Sequence, residues 1–340
     1  MACRIKNMPQ CPALVRSTYG INRAGQKFGR EDMSDNTTVA ELRRVAVIGL
    51  GSMGSGMATA LLNAGHAVTG FDVAAGAADH LVGKGLKKAD TPARAVAEAD
   101  IVVIVVVNAA QTESVLFGPG GLADALTPGA VVVSSATMNP EMARVMAQRL
   151  EAGDRHYLDA PMSGGAARAA EGELTFMTSG SAVAQSKAHP ALAAMGSKIY
   201  DLGEKPGDAA GFKMVNQLLA GVHIAAACEA MTFAARLGLD LRKTYDVITE
   251  AAGNSWMFED RMPHVIDGDY TPRSSVDIFV KDLGIVQDMA RSAKFPVPVA
   301  ASALQMFLMA SGSGMGGDDD ASVARIYAQL SQVELPTRKT

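Results

Sequence analysis

Metal-binding and disulfide patterns are missing from this sequence. Its three cysteines, Cys3, Cys11 and Cys228, form no C-x-x-C pair, whereas paired spacings are typical of structural zinc sites and disulfide frameworks. The six histidines are scattered along the chain without the spacing of metal ligands. We therefore expect neither a bound metal ion nor a disulfide framework.

The chain also lacks an excess of positive charge. It carries 31 lysines and arginines against 35 aspartates and glutamates, which gives a net charge of -4. Nucleic-acid-binding proteins and polybasic membrane anchors need a basic surface. The sequence therefore predicts no nucleic-acid partner and no membrane partner, which leaves a small molecule as the expected ligand.

Residues 1–43 lack the marks of a targeting segment or a folded element. They contain no apolar run of the kind found in secretory signals, and the acidic residues Glu31, Asp32 and Asp35 argue against organelle targeting. We expect either a disordered leader or a start site placed too early, with Met33 as the alternative start. The expected location of the protein is the cytoplasm.

A glycine-rich turn is the strongest functional signal in the chain. The apolar run Val45–Ile48 leads directly into G-x-G-x-x-G, formed by Gly49, Gly51 and Gly54. In dinucleotide-binding units, this spacing allows a tight turn, a close backbone approach to a diphosphate, and close packing of the following helix. The predicted cofactor-binding residues of the turn are Gly49, Leu50, Gly51, Ser52, Met53 and Gly54.

An acidic residue follows at the position where such units bind ribose. A second apolar strand, Val68–Phe71, leads into Asp72, about twenty residues after the turn, where a carboxylate can accept hydrogen bonds from the ribose hydroxyls. A carboxylate there repels a 2′-phosphate, and no arginine follows closely. We therefore predict NAD rather than NADP as the cofactor; the alternative is a glycine-rich turn that binds no ligand.

The first half of the chain predicts an α/β domain. Short apolar segments alternate with helical ones, including a helix over Ala74–Lys84, and Ile101–Val107 is apolar throughout, as in a strand covered on both faces. This pattern indicates a doubly wound, Rossmann-type, mostly parallel sheet over residues 44–206. The predicted strands are Val45–Leu50, Val68–Asp72, Ile101–Val107, Val131–Ser135, His156–Ala160, Leu174–Thr178 and Lys198–Leu202.

Residues 207–334 predict an all-α substrate and oligomerisation domain. Polar or ionisable residues that would be costly in lipid interrupt the long apolar segment Gly211–Leu237: Lys213, Asn216, Gln217, His223 and Glu229. We expect a buried helix wrapped by other helices or by another subunit, and hence a homodimer or homotetramer. The aspartates of the loop Gly312–Asp320 are interpreted as helix caps and solvated charges.

Polar residues follow several of the predicted strands, at the sheet edge where ligands bind in such folds. Asn108 and Thr137 each follow a strand, and Ser163, Gly164 and Gly165 follow another. The serine hydroxyl and the exposed glycine amides form a donor cluster suited to a carboxylate. The alternative for this turn is an ordinary helix cap.

Lys213 stands at the beginning of the long apolar helix. Burial of an ammonium group is costly, so the pKa of such a lysine falls readily toward the range used in catalysis. The alternative is a lysine that extends its side chain from the helix end into solvent.

The motifs together resemble the β-hydroxyacid dehydrogenase family, also described as 3-hydroxyisobutyrate dehydrogenase-like, over residues 45–330 in order. Within that family, three longer strings are similar to the branch that oxidises L-threonate. The strings that carry the resemblance are GLGSMGSGMA, DAPMSGG, FVKDLG, KMVNQLLAGVHIAAA, AAGNSWMFEDRM and GDYTPRSSVDIFVKDLG.

The resemblance implies a role for each substrate-side residue. Lys213 would be the general acid/base, the turn Ser163–Gly165 would hold the substrate carboxylate, and Asn216 or Gln217 would contact the hydroxyl groups. The implied reaction is oxidation of L-threonate at C2 to 2-dehydro-L-erythronate, with NAD reduced to NADH.

The resemblance also implies roles on the cofactor side. Asn108 and Thr137 would border the nicotinamide or its ribose. Lys281 would close over the cofactor from the helical domain, and Asp282 beside it would steady the site.

Two residues depart from the family pattern, and two other functions stay open. Ala209 replaces a glycine that usually lies four residues before the catalytic lysine, and Asn216 replaces a histidine of the threonate branch. The first alternative function is the same chemistry on 3-hydroxyisobutyrate or tartronate semialdehyde. The second is a dinucleotide-binding protein without turnover, against which an ionisable Lys213 in a buried cleft argues.

Overall fold

The computed structural model describes residues 42–338. The predicted leader, with Cys3 and Cys11, therefore lies outside the described residues apart from Leu42 and Arg43. The described residues belong to one compact unit, Ala40–Thr340. The division into domains at residues 206 and 207 stays a prediction.

Nine strands form two separate sheets. Six parallel strands make the larger sheet, in the order β3-β2-β1-β4-β5-β6, and three make a smaller sheet, in the order β7-β8-β9. The strands are β1 Arg44–Ile48, β2 Ala67–Phe71, β3 Lys87–Lys88, β4 Ile101–Ile104, β5 Val131–Ser134, β6 His156–Asp159, β7 Met162–Ser163, β8 Leu174–Thr178 and β9 Gly196–Asp201.

Thirteen α-helices are formed by the described residues. Seven of them belong to the first half of the chain and six follow the smaller sheet. They are α1 Ser52–Asn63, α2 Asp79–Val82, α3 Pro92–Val96, α4 Ala109–Phe117, α5 Pro140–Glu151, α6 Gly165–Glu171, α7 Ala182–Met195, α8 Asp208–Arg236, α9 Leu241–Thr249, α10 Trp256–Asp267, α11 Val276–Ser292, α12 Pro298–Ala310 and α13 Val323–Ser331.

Alternate residues of the central strands fill two different cores. In β4, Ile101 and Val103 face the core formed with α1, α6 and α7, whereas Val102 and Ile104 face the core formed with α3, α4 and α5. A strand that is buried on both faces must be apolar throughout. This arrangement confirms the predicted doubly wound, Rossmann-type parallel sheet.

Two of the predicted strands do not join this sheet. Leu174–Thr178 is β8, and Lys198–Leu202 overlaps β9; both belong to the smaller sheet. The reason is the turn after β6, where Met162 and Ser163 form β7 and pair antiparallel with β8. The prediction that these segments complete the large sheet is therefore wrong.

The predicted helix over Ala74–Lys84 is also too long. Only Asp79–Val82 is helical, and Gly76 has a φ angle of 83°, which a right-handed helix does not contain. The glycine lies within the turn that follows β2, and the helix begins only at Asp79.

The second half is helical, as predicted, and is organised around the 29-residue helix α8. Cys228 and Met231 of α8 share a buried core with residues of α10, α11, α12 and α13. At its centre, the rings of Phe279 and Phe307 stack with centroids 5.1 Å apart. This packing explains why α8 needs so many apolar residues.

Helix α8 is also long and apolar enough to cross a membrane, and it is the one such helix among the described residues. Half of its most apolar stretch is buried against the rest of the protein. The buried side is explained by the helical core, while Phe212 and Val215 lie on the exposed side with 57% and 63% of their surface accessible.

The acidic loop before α13 differs from its prediction. Asp319 and Asp320 are fully buried, and they contact His264 and Arg261, respectively. Asp319 does cap the short helical turn that follows it, because its carboxylate accepts from the Ala321 backbone N–H. The two aspartates are buried partners in the helical core rather than solvated charges.

Candidate active site

The glycine turn between β1 and α1 is packed tightly on one side and open on the other. A Cβ atom at Gly49, where φ is 94°, would lie 2.3 Å from the Val105 carbonyl oxygen. A Cβ at Gly54 would lie 1.9 Å from the Gly49 carbonyl oxygen. At Gly51, by contrast, an added Cβ would meet no atom within 4 Å. Gly49 and Gly54 are therefore required by packing, whereas Gly51 borders open space.

Helix α1 presents its N-terminus to that open space. Gly51 is its N-cap residue, and no side chain caps the helix. Its first backbone N–H groups and the positive end of its dipole are therefore available to an anion such as a diphosphate. The residues present fit a dinucleotide cofactor at this turn, because a side chain at Gly51 would fill the space that a diphosphate needs.

Asp72 lies directly after β2 and is bonded to the glycine turn. One carboxylate oxygen accepts from the Leu50 backbone N–H at 2.6 Å, and the other accepts from the Ala74 N–H at 2.7 Å. The adjacent Val73 is 92% exposed. The acid thus lies where the sequence placed it, and its contact with a ribose stays a prediction.

Asn108 and Thr137 lie after neighbouring strands of the same sheet. Asn108 follows β4 and caps helix α4, because its side-chain oxygen accepts from the Gln111 N–H at 2.9 Å. Thr137 follows β5. Both residues lie at the sheet edge that carries the glycine turn, and their contact with a nicotinamide stays a prediction.

Lys213 is buried between the two halves of the molecule. Only 7% of its surface is accessible, and its Nζ atom donates to the Met162 carbonyl oxygen at 2.8 Å. Burial lowers the pKa of Lys213 to about 8, an effect that nearby Asp282 opposes and Lys281 reinforces. The side chain does not extend into solvent, and its amine is a suitable base near neutral pH.

The turn Ser163–Gly165 lies beside the residue that Lys213 contacts. Pairing of Ser163 with Thr175 in the β7–β8 ladder fixes the start of the turn. Gly164 and Gly165 then adopt φ angles of 139° and 77°, and a Cβ at Gly165 would meet no atom within 4 Å. Backbone donors thus border open space next to the buried amine.

A buried hydrogen-bond cluster joins α8 to α11. The Asp282 carboxylate is 1% exposed and accepts from Gln217 Nε2 and Lys281 Nζ, each at 2.5 Å. Asn216 Nδ2 in turn donates to Gln217 Oε1 at 3.0 Å. Both ends of the Gln217 amide are therefore bound by protein groups.

The structure brings together the predicted substrate-side residues, but sequence reasoning missed part of what holds them. Asp159 and Ser179 are buried and contact the first turn of α8. The only signal was that Asp159 opens the string that ends at Gly165. Its partners lie on segments far away in the sequence, so their contact could not be predicted.

Family models match both halves of the chain. Residues 44–203 match the NAD-binding domain of 6-phosphogluconate dehydrogenase. Residues 207–327 match the model described as NAD-binding of NADP-dependent 3-hydroxyisobutyrate dehydrogenase. Together with the uncapped glycine turn, these matches define an NAD-binding dehydrogenase that acts on a CH–OH group.

Similarity to individual proteins is more specific. The chain is 52% identical over 294 residues to L-threonate dehydrogenase of Cupriavidus necator, covering 86% of this chain and 98% of that protein. It therefore belongs to the β-hydroxyacid dehydrogenase family.

Solved structures agree with this family. A 3-hydroxyisobutyrate dehydrogenase from Salmonella typhimurium is 49% identical, with a TM-score of 0.80 over 84% of this chain and 99% of that one. The Mycobacterium tuberculosis 3-hydroxyisobutyrate dehydrogenase, solved with L-serine, is 29% identical, with a TM-score of 0.75 over 84% and 99% of the two chains.

Proposed function

We propose that this protein oxidises L-threonate at C2 to 2-dehydro-L-erythronate, with NAD as the hydride acceptor. The observation that carries the proposal is the position of Lys213, whose buried amine lies 2.8 Å from the Met162 carbonyl and beside the turn Ser163–Gly165. Support for the substrate comes from relatives that are named L-threonate dehydrogenase and that share about half of their residues with this chain.

Lys213 acts as the general base in this mechanism. Its pKa of about 8 leaves a fraction of the amine neutral near pH 7.5, and the neutral amine takes the proton from the C2 hydroxyl. Bound NAD supplies the chemistry at carbon, because it accepts the C2 hydrogen as a hydride while the hydroxyl becomes a carbonyl. In the reverse direction the protonated lysine returns the proton.

The turn Ser163–Gly165 holds the substrate carboxylate. The serine hydroxyl and the two glycine amides are donors that border open space, where a Cβ at Gly165 would project. Charge-assisted hydrogen bonds of this kind fix the orientation of the acid as well as bind it. The C2 hydroxyl is thereby directed to the amine rather than to solvent.

Asn216 contacts the substrate hydroxyl groups, and Gln217 positions the Asn216 side chain. The Gln217 amide already donates to Asp282 and accepts from Asn216, so it has fewer groups left for a ligand. The Asn216 side-chain oxygen is available to a substrate hydroxyl.

The nicotinamide side of the site is formed by Asn108, Thr137 and Lys281.

The glycine turn and Asp72 bind the adenosine end of the cofactor, with a preference for NAD. The uncapped N-terminus of α1 would hold the diphosphate. The ionised carboxylate of Asp72 accepts from the ribose hydroxyls and repels a 2′-phosphate.

Two observations favour a second substrate, 3-hydroxyisobutyrate. The similar Salmonella structure is described as a 3-hydroxyisobutyrate dehydrogenase, and Asn216 replaces the histidine of the threonate branch. The tartronate semialdehyde reaction would use the same residues.

An absorbance assay for NADH distinguishes these substrates. Purified protein is tested with NAD or NADP against L-threonate, D-threonate, D-glycerate, L-serine and 3-hydroxyisobutyrate. We expect kcat/KM to be highest for L-threonate with NAD. A higher kcat/KM for 3-hydroxyisobutyrate would show that this acid, rather than L-threonate, is the substrate. Activity only with NADP would overturn the role of Asp72. The absence of turnover with every acid would support a non-catalytic protein.

We further propose a cytoplasmic homodimer or homotetramer without nucleic-acid or membrane partners. An apolar stripe on α8, consisting of Phe212, Val215, Leu219 and Phe233, is 48% to 63% exposed in the single chain, and its burial by a second copy would stabilise the assembly. Light scattering that shows a monomer at micromolar concentration would contradict the oligomer.

A further inference from the structure

Asp159 is a buried carboxylate to which the proposed mechanism gives no role. It is the last residue of β6 and is fully buried. Its Oδ2 atom accepts from the backbone N–H groups of Gly207 and Ala210, at 3.1 Å and 2.8 Å. Its Oδ1 atom is buried without a hydrogen-bond partner among the described residues. The backbone N–H groups that bind this carboxylate therefore both belong to the start of α8.

Ser179 completes this contact from the neighbouring chain segment. Its backbone pairs with that of Asp159, and its hydroxyl lies 3.4 Å from the Asp159 carboxylate. The same hydroxyl oxygen accepts from the Ala209 N–H at 2.9 Å. The N-cap residue of α8, Gly207, supplies no side-chain cap. Two side chains from outside the helix therefore bind three of its first N–H groups.

The same two segments meet again one helical turn later. Asp159 lies three residues before Met162, whose carbonyl accepts from the Lys213 amine at 2.8 Å. Lys213 lies three residues after Ala210, which Asp159 binds. The turn that precedes Ser163 and the helix that carries the lysine are thus joined at two points, and the carboxylate contact lies about one helical turn before the lysine.

We propose that Asp159, assisted by Ser179, is a positioning residue that holds the Lys213 amine at the turn Ser163–Gly165. The proposal rests on the proposed role of Lys213 as general base. It assigns to the first residue of the string DAPMSGG a function distinct from substrate contact. Asp159 does not touch substrate; it acts through helix α8, and a shift of about 1 Å at the lysine is enough to slow proton transfer severely.

The charge of Asp159 supports a functional rather than a stabilising role. Burial raises the pKa of Asp159 to about 6, although the Ala210 and Gly207 N–H groups and the Ser179 hydroxyl oppose the shift. Because the pKa in the folded state is above the ordinary value of 3.8, the ionised form reduces stability as the pH rises from about 4 to 6. The fold would therefore be more stable at pH 7.5 without this charge.

Two ionisable side chains interact with the charge of Asp159, those of Tyr157 and Asp208. Tyr157 of the same strand has its pKa raised by burial and by the Asp159 charge. Asp208, on the first turn of α8, adds to the upward shift of Asp159, and Arg144 of α5 lies 3.9 Å from Asp208. Protonation of Asp159 removes the anion from the helix N-terminus, so the position of Lys213 should loosen below about pH 6.

The test compares Asp159→Asn with Asp319→Asn. Asp319 is a matched control, because it is also fully buried and also accepts from two backbone N–H groups, those of Arg273 and Ala321. We expect Asp159→Asn to lower kcat for L-threonate by on the order of tenfold or more, with the KM for NAD and the melting temperature at pH 7.5 unreduced. Asp319→Asn should lower the melting temperature and leave kcat unchanged.

The pH profile adds a readout that a structural role would not move. For wild-type protein, log kcat should rise with a slope near one between pH 6 and about 7.5 and with a slope greater than one below pH 6. Asp159→Asn should keep a slope near one throughout. Ser179→Ala removes the acceptor of the Ala209 N–H and the weaker contact with the Asp159 carboxylate but keeps the Asp159 bonds to Gly207 and Ala210. It should show a smaller loss of kcat, and it carries the test if Asp159→Asn does not fold.

A direct titration separates this proposal from the choice of substrate. The Lys213 signal is followed by NMR with 13C-labelled lysine and assigned with Lys213→Arg. Its pKa should move upward toward 10.5 in Asp159→Asn, because the amine becomes less buried. Failure of wild-type protein to oxidise L-threonate would overturn the substrate but leave this readout intact. An unchanged Lys213 titration, together with unchanged kcat, would overturn the positioning role.

Discussion

The two halves of the molecule build their parts of the site in different ways. The cofactor turn uses backbone geometry, with Gly49, Gly51 and Gly54 within a single local segment. The helical half uses side chains that contact distant residues: Lys213 bonds Met162, 51 positions away, and Gln217 bonds Asp282, 65 positions away.

This difference decides how each half can fail. A backbone site fails when an atom is added, because a Cβ enters the space of the ligand or of the neighbouring turn. A side-chain site fails when a group is removed, because a buried partner is left without its hydrogen bond or its charge. Substitutions in the two halves should therefore lose activity in distinguishable ways.

The largest expected effect is the loss of the amine in the helical half. Lys213→Ala should lower kcat for L-threonate by on the order of a hundredfold or more, because the C2 hydroxyl loses its base. NADH binding, measured by fluorescence titration, should be unchanged, because the cofactor turn is intact.

Lys213→Arg is the matched control for charge. The guanidinium stays protonated at all accessible pH values, so it cannot take the proton, and we expect kcat to fall by a similar factor. Near-normal kcat in either variant would show that another group is the base.

In the cofactor half, Gly51→Val should weaken NAD binding by on the order of a hundredfold (about 2.7 kcal/mol) without lowering the melting temperature. The added side chain enters open space, since a Cβ there would meet no protein atom within 4 Å. NAD affinity is measured by calorimetry and stability by thermal unfolding.

Gly54→Ala tests the same turn from its packed side. A Cβ at Gly54 would lie 1.9 Å from the Gly49 carbonyl oxygen, so this variant should lose stability as well as affinity. Unchanged NAD binding in Gly51→Val would mean that the diphosphate binds elsewhere.

What the sequence could predict follows from the same contrast. The β1–α1 turn and Asp72 were predictable because the glycine spacing and the acid after the second strand depend only on the local backbone geometry. The doubly wound sheet was predictable because strands such as Ile101–Ile104 are apolar on both faces. The separate sheet containing β8 was missed, because strand pairing is set by the reversal after β6 and leaves no local pattern.

The side-chain contacts of the helical half were mostly beyond prediction. Burial of Lys213 could be inferred from its apolar surroundings, but its Met162 partner could not. Asp319 and Asp320 were misinterpreted as solvated, because a run of aspartates beside glycines is typical of surface loops. Their partners, His264 and Arg261, lie more than fifty positions away.

The helical half also contains a buried ion pair, Arg261–Asp320, that we expect to stabilise the fold without taking part in the reaction. Its N–O distance is 2.6 Å, and the Asp320 carboxylate is fully buried. Arg261→Met should lower the free energy of unfolding by about 3 kcal/mol at pH 7.5, because it leaves a buried carboxylate unpaired. Chemical denaturation measures this loss, and kcat/KM of the folded protein should be unchanged.

The loss should depend on pH in a defined direction. Burial raises the pKa of Asp320 to about 6 even with Arg261 present, and removal of Arg261 raises it further. Below that pKa the carboxyl group is neutral and needs no cation, so the destabilisation should shrink between pH 7.5 and 5. A pH-independent loss would indicate lost packing of the arginine side chain instead.

The smallest expected effect is a change of cofactor preference. Val73 is 92% exposed next to Asp72, so Val73→Arg places a cation where a 2′-phosphate would lie. We expect kcat/KM for NADP to rise severalfold, by about 1 kcal/mol for one exposed charge pair, while that for NAD changes little. Val299→Arg, at an exposed position of the helical half, is the control and should leave the NADP/NAD ratio unchanged.

The central claim is that a buried lysine from the helical half serves as the base at the substrate turn, and the pH dependence of kcat/KM for L-threonate oxidation tests it most directly. Because the neutral amine is the active form and its pKa is lowered to about 8, kcat/KM should rise about tenfold per pH unit from pH 6.5 toward 8 and level off above it. A profile that is flat from pH 6.5 to 9.5, or that falls as pH rises through 8, would contradict the account.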